Sequence, residues 1–128
     1  MAQQDRDFWP PLGQTRITPP VVILREQAAL LANKSQGLIE GQVDTSAGGD
    51  RFYHRLYVVA PTLDNYRYQL LGVYHAILLY PVYVIASGES KTERPLDSEE
   101  EFLNWLREVL SSDRTKQVLD ALLAQIGG

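Results

Sequence analysis

One continuous stretch, residues 51–87, constrains the fold more than any other part of the chain. It reads RFYHRLYVVAPTLDNYRYQLLGVYHAILLYPVYVIAS and holds all 7 tyrosines of the protein. Aromatic and β-branched residues are enriched in strands, whereas Pro61 and the pair Asp64-Asn65 have the chemistry of a turn. The stretch therefore predicts a β-hairpin that belongs to a larger sheet.

The loop of this hairpin, residues 61–65, sets which side chains share a face. Side chains alternate between the two faces of a strand, so counting outward in steps of two defines each face. One face is almost wholly apolar, with the pairs Ala60 and Tyr66, Val58 and Tyr68, Leu56 and Leu70, His54 and Gly72, and Phe52 and Tyr74. The other face is mixed, with the pairs Val59 and Arg67, Tyr57 and Gln69, Arg55 and Leu71, and Tyr53 and Val73. A slip by one residue would bring Arg67 and Gln69 among the apolar residues, so we expect this register.

The composition limits the chain to one core and excludes several kinds of chemistry. With 128 residues and 45% hydrophobic content, a single domain over residues 18–128 is expected. The formal net charge of -4 argues against binding to a nucleic-acid backbone. The sequence has no cysteine, so disulfides, thiolate nucleophiles and cysteine-ligated zinc are excluded.

Hydropathy predicts no contact with a membrane. The longest apolar run, residues 76–86, contains Pro81 and is too short to span a bilayer. The N-terminus lacks the basic start and apolar middle of a secretory signal. A cytoplasmic protein is therefore the expectation.

The N-terminal segment, residues 1–17, has no sustained periodicity and is expected to be an irregular or disordered arm. Within it, residues 8–12 read FWPPL. One interpretation is a docking segment in which Trp9 inserts into a partner or a second subunit. The other is that the arm folds back and covers apolar surface of its own domain.

Signals for the first helix and strand follow the arm. Thr18 is a candidate N-cap for a helix that ends at Gln36, with Gly37 as the residue that terminates it. Residues 38–45 then alternate loosely and predict a half-exposed edge strand, followed by a turn at residues 46–50.

The C-terminal part predicts a last strand and two helices. Pro81 is expected to open a fourth strand at residues 82–87, and residues 88–97 read as a polar loop. Ser98 and Glu101 form a capping box that starts a helix, and a break at residues 111–113 separates it from the last one.

The predicted fold class is α+β: an N-terminal helix, a four-stranded, mainly antiparallel β-meander and two C-terminal helices packed on the apolar sheet face. This order of elements, with Tyr80-Pro81 after the third strand, resembles that of ubiquitin-conjugating-enzyme-like and RWD domains. The chain has no catalytic cysteine, no His-Pro-Asn sequence and no further proline directly after Tyr80-Pro81. The resemblance therefore implies a binding module without catalytic activity.

Reactive side chains give little support for catalysis. The 2 histidines, His54 and His75, fall on opposite faces in the predicted register, so we expect them not to meet and predict no metal site and no cofactor. Asp64, Glu89 and Lys91 are similar to the carboxylate-and-lysine set of nucleases that hold magnesium. A small metal-dependent nuclease is therefore one alternative function.

The mixed face of the hairpin is the favoured recognition surface, because tyrosine combines an apolar ring with a polar tip that suits interfaces. The predicted binding residues are Tyr53, Arg55, Tyr57, Arg67, Gln69 and, in the arm, Trp9. The favoured function is a non-enzymatic interaction or regulatory module that binds a protein partner through this face or a sheet edge. Another alternative is a homo-oligomeric structural subunit, in which the arm around Trp9 or the fourth strand crosses to a neighbour.

Overall fold

A computed structural model describes residues 6–13, 15–87 and 94–127. The helices are α1 (Pro20–Lys34), α2 (Glu99–Leu110) and α3 (Asp113–Gly127). The strands are β1 (Glu40–Gly48), β2 (Arg51–Ala60), β3 (Tyr66–Ala76), β4 (Val82–Ala86) and β5 (Arg94–Leu96). The predicted α+β class and the order of its elements are confirmed, with an antiparallel meander of five strands rather than four.

The fifth strand corrects the predicted topology. β5 falls in the segment predicted as a polar loop, yet it pairs antiparallel with β4, with Val82 opposite Leu96. The strand order is β1-β2-β3-β4-β5, so β4 has a neighbour on each side. Because both of its edges are paired, β4 has no free edge that could pair with a neighbouring molecule.

Capping chemistry explains where α2 begins. The Glu101 N–H donates to Ser98 Oγ at 3.2 Å, so the Ser98 cap is confirmed. The Glu101 carboxylate accepts from the N–H of Asp97, one residue before the predicted donor. Phe102 and Trp105 then lie on the buried side of this helix, as the spacing predicts.

The ends of α1 and β1 differ in detail from the sequence prediction. α1 begins at Pro20 with Pro19 as its cap residue, and no side chain caps it, so Thr18 is not the N-cap. α1 ends at Lys34 rather than at Gln36, and Gln36, with a φ of 54°, holds the left-handed position predicted for Gly37. Gly37, with a φ of 80°, follows it, and its N–H donates to the Ala32 carbonyl in the last turn of the helix at 2.8 Å. β1 covers residues 40–48 rather than 38–45, which leaves a turn of only two residues before β2.

The core lies between the three helices and one face of the sheet, which we call the covered face. Its buried strand residues include His54, Leu56, Val58, Ala60, Leu71, Val73, His75, Val82, Val84 and Ala86. The residues that alternate with them form the open face and are half-buried or exposed. α1 packs closely on the covered side of β1, because a Cβ added at Gly41 would lie only 2.5 Å from Ala28 Cα.

The predicted register holds near the hairpin loop and fails further along at a β-bulge. Tyr57 lies opposite Gln69 as predicted, but the register then shifts and Leu56 lies opposite Leu71 instead of Leu70. Leu70 and Leu71 are both buried. The two consecutive leucines therefore both bury apolar surface, which favours the bulge over an unbroken ladder.

One extra residue exchanges the faces of the residues that follow it in β3. The sequence predicts Leu71, Val73 and His75 on the mixed face, but all three are buried on the covered face. Gly72 and Tyr74, predicted on the apolar face, lie on the open face. These predictions are wrong because counting in steps of two takes no account of a bulge.

No helix within the described ranges combines the length and apolar character that crossing a membrane requires.

Candidate functional site

The open face of the sheet brings together the strand residues that the sequence predicts for recognition. The five are Tyr53, Arg55, Tyr57, Arg67 and Gln69. The structure adds residues that the sequence prediction missed, namely Arg51, Gly72, Tyr74, Tyr83 and Ile85. Adjacent apolar residues followed by glycine, Leu70-Leu71-Gly72, were the available signal, because such runs inside a strand accompany bulges.

A concavity of about 250 Å³ lies on the open face above Gly72. Gly72 stands between Arg55 of β2 and Ile85 of β4, and its missing side chain leaves the space between them. A Cβ added at Gly72 would lie 3.4 Å from Gln69 Nε2 and 3.7 Å from Ile85 Cγ2. The concavity has room for one large side chain and is smaller than a pocket for a drug-sized ligand.

Three tyrosine rings line one side of the concavity across three strands. The ring centroids of Tyr53 and Tyr74 lie 5.6 Å apart. Those of Tyr74 and Tyr83 lie 5.0 Å apart, with the ring planes only 15° from parallel. Such contacts hold the rings in place, so they offer a partner an ordered aromatic surface.

Arg67 is held on the open face by two contacts. Its Cζ lies 4.1 Å from the centroid of the Tyr57 ring, within the range of a cation–π interaction. Its Nη2 donates to Asp44 Oδ2 at 2.7 Å, in a salt bridge of which both side chains are more than one third exposed. Tyr57, Arg67 and Asp44 therefore form a fixed group that extends from β3 to β1.

Arg51 and Arg55 differ from Arg67, because neither forms a salt bridge with any described residue. The Arg51 Cζ lies 4.9 Å from the Tyr74 ring centroid, and a hydrogen bond to Tyr53, with smaller electrostatic contributions from the Tyr74 phenol and from Asp50, raises the pKa of Arg51. The Arg55 Cζ lies 5.9 Å from the Tyr53 ring, and its Nη1 donates to a hydroxyl of β1 at 3.5 Å. The concavity therefore contains two cations that form no salt bridge with a described carboxylate, although Asp50 adjoins Arg51 and Asp44 lies opposite Arg55 on β1.

Behind this face, the bulge brings the two histidines together on the covered side. His54 Nε2 lies 3.0 Å from His75 Nε2, and both rings are buried. The prediction that the histidines do not meet is therefore wrong. Burial, followed by the charges of His75 and of Arg25 on α1, lowers the pKa of His54 to about 4.

The hydrogen bonds around this pair determine where its protons lie. The Ala76 carbonyl can only accept, so His75 Nδ1 carries a proton and donates to it at 2.6 Å. In a neutral ring His75 Nε2 is then an acceptor, and the His54 Nε2–H donates to it. His54 Nδ1 in turn accepts from the Thr45 hydroxyl at 3.0 Å. All four ring nitrogens are thus engaged, which leaves none of them available as a metal ligand.

Of the three residues predicted for the nuclease alternative, the structure describes only Asp64. Asp64 is exposed in the β2–β3 loop with a φ of 58°. Glu89 and Lys91 lie in residues 88–93, outside the described ranges, so the nuclease alternative stays a prediction. Across the described ranges there is no group of three histidine, aspartate or glutamate side chains that could hold a metal ion.

The apolar side chains in the described part of the arm do not cover their own domain. Phe8, Trp9 and Leu12 are 88%, 79% and 78% exposed, so the fold-back interpretation is wrong for these side chains. Residues 6–13 contain no strand and no α-helix. Trp9 therefore lies free at the surface.

The open face is the surface on which a functional assignment has to be based. Comparisons of the chain with protein-family models, with curated proteins and with solved structures find no match.

Proposed function

We propose that this protein is a non-enzymatic interaction module that binds a protein partner through the open face of its sheet. One observation carries the proposal: a sheet face on which none of the described helices packs presents four tyrosines and three arginines, all but Tyr57 and Arg67 lining the concavity. The tyrosines are Tyr53, Tyr57, Tyr74 and Tyr83, and the arginines are Arg51, Arg55 and Arg67.

The composition of the face supports a protein partner. Tyrosine and arginine are among the residues that dominate the binding energy of protein interfaces, whereas lysine is depleted there. The strands β1 to β4 contain no lysine. A surface for a nucleic-acid backbone would instead need many basic residues, and the net charge of this chain is -4.

The rigidity of the face supports binding through it without large rearrangement. Tyr74 stacks on Tyr83, and Arg67 is fixed between Tyr57 and Asp44. Side chains that are already ordered lose little conformational entropy when a partner covers them.

The test is affinity capture with the full chain as bait, in a lysate of the source organism, with single substitutions on and off the face. Tyr57→Ala and Arg67→Ala should abolish retention of the captured protein while the circular dichroism and thermal melting remain close to those of the parent. Two matched controls lie elsewhere. Tyr66→Ala removes an exposed tyrosine beside the hairpin loop, and Lys116→Ala removes the cation of an exposed ion pair on α3.

Retention that is lost in both face variants and kept in both controls supports the proposal. A captured protein that is retained equally by all four variants binds elsewhere, and the open face then has no role in recognition.

A further inference from the structure

The N-terminal arm offers a ligand for the open face. Its described residues 6–13 include Phe8, Trp9 and Leu12 as strongly exposed apolar side chains beside the pair Pro10-Pro11. Proline restricts the backbone before binding, and proline-containing segments bind in grooves lined by aromatic rings. An exposed aromatic segment of this kind requires an apolar surface to cover it.

The chemistry of the arm complements that of the concavity. Asp7 precedes the aromatic pair, and its Oδ1 accepts from the backbone N–H of Trp9 at 3.1 Å, which fixes the carboxylate beside the Trp9 backbone. The concavity presents aromatic rings and two arginines that form no salt bridge among the described residues, since Asp44, the carboxylate opposite Arg55, is bonded to Arg67 instead. Of the two, Arg55 has the longer contact to a ring and only a 3.5 Å hydrogen bond, so it is the freer to bind a new anion.

The attachment of the arm favours a second copy as the owner of the face that it covers. The Thr18 N–H donates to Glu99 Oε1 at 2.8 Å, and the Tyr80 hydroxyl donates to the Thr18 carbonyl at 3.4 Å. These contacts fix the base of the arm beside the N-terminus of α2, whose buried residues pack on the covered face. Each copy carries both an arm and an open face, so two copies related by a two-fold axis can exchange arms and form the contact twice.

We propose that the arm of one copy docks on the open face of a second copy, with Trp9 in the concavity above Gly72 and Asp7 at Arg55. This inference rests on the proposed function, because it names a partner for the same face. The indole stacks on the tyrosines and contacts the arginines, and the Asp7 carboxylate neutralises one of them.

The two tryptophans of the chain make the contact measurable without a label. Trp9 is exposed in the free arm, whereas Trp105 is 3% exposed in the core and reports a constant environment. As the protein concentration rises, the emission of Trp9 should shift to shorter wavelength over the same range in which light scattering shows the mass doubling.

Substitutions identify the two surfaces in that assay. Trp9→Ala and Gly72→Leu, which fills the concavity, should each weaken dimerisation by about tenfold or more. The matched control for Trp9 is Leu78→Ala, which removes another strongly exposed apolar side chain outside the arm and should have no effect. Arg55→Glu should weaken dimerisation as well, and its combination with Asp7→Lys should restore it.

A chain that stays monomeric at high concentration with unchanged Trp9 emission overturns the inference. A dimer that persists in Trp9→Ala, or a Trp9 shift that is independent of concentration, overturns it as well. If the capture experiment still depends on Tyr57 and Arg67 in that case, the proposed function stands with a different partner. If capture is also insensitive to the face, both proposals fail.

Discussion

The two faces of the same sheet differ in how closely their residues are packed. On the covered face, a methyl group at Gly41 would lie 2.5 Å from the backbone of α1. On the open face, a methyl group at Gly72 would lie 3.4 Å from the end of a flexible glutamine side chain. The covered face therefore determines stability, whereas the open face has room for a partner.

Both faces acquire their distinctive groups from the bulge in β3. The extra residue turns His75 inward to meet His54, and it turns Gly72 and Tyr74 outward to form the concavity. Without the bulge, His75 and Tyr74 would each lie on the opposite face. His75 would then not meet His54, and Tyr74 would not stack between Tyr53 and Tyr83. A single irregularity in one strand thus produces the buried hydrogen-bonded pair and the recognition surface together.

The largest difference between the faces should appear when a large apolar side chain is shortened. Leu71→Ala should lower the free energy of unfolding by about 3 kcal/mol, because Leu71 is buried in the core and a cavity would remain. Ile85→Ala on the open face should cost about 1 kcal/mol, since its side chain is only half-buried. Urea denaturation measures both, and equal losses would contradict the comparison.

Adding a methyl group should produce a smaller difference between the faces in the free energy of unfolding. Gly41→Ala should lower the free energy of unfolding by about 2 kcal/mol, because the new Cβ overlaps the backbone at Ala28 and α1 must shift. Gly72→Ala should change it by less than about 0.5 kcal/mol, because its neighbours lie at ordinary contact distances. Thermal melting of the two variants compares them directly, and a destabilised Gly72→Ala would show that the open face is as tightly packed.

Acid should lower the free energy of unfolding through the histidine pair of the covered face. The pKa of His54 is lowered from 6.5 to about 4, so between these values the unfolded chain binds a proton that the folded chain does not. The stability is therefore complete above pH 6.5 and is lost as the pH falls towards 4.

From about pH 7 to about pH 5 we expect a loss of roughly 1–2 kcal/mol in the free energy of unfolding. The double variant His54→Leu, His75→Leu should lose this dependence, which denaturation at several pH values measures. The same pH slope in the double variant would assign the effect to other groups.

The smallest effect is expected for the ion pair on the open face. Asp44→Ala removes the partner of Arg67, but both side chains are partly exposed, so the free energy of unfolding should change by less than about 1 kcal/mol. Asp120→Ala, in the exposed ion pair with Lys116 on α3, is the matched control. A much larger loss for Asp44→Ala would mean that the open face also stabilises the fold.

Much of the architecture follows from local sequence chemistry. The Ser98 cap and the loop after Ala60 are features of a few neighbouring residues, and the structure has both. Five residues of the open face were predictable as well. Tyr53, Arg55 and Tyr57 lie in β2, which alternates without interruption, and Arg67 and Gln69 precede the bulge in β3. β5 was not predictable, since its three residues have little strand character of their own and pair only because β4 lies alongside.

The sequence by itself determined the class of the fold, the order of its elements and the identity of the hairpin. Only the tertiary structure decided which residues of β3 face inward beyond Gln69, because that depends on whether Leu70 and Leu71 can both be buried beneath the helices. Burial of both leucines offsets the lost ladder pairing at the bulge. The contact between His54 and His75 and the concavity above Gly72 are consequences of that balance, which no local pattern encodes.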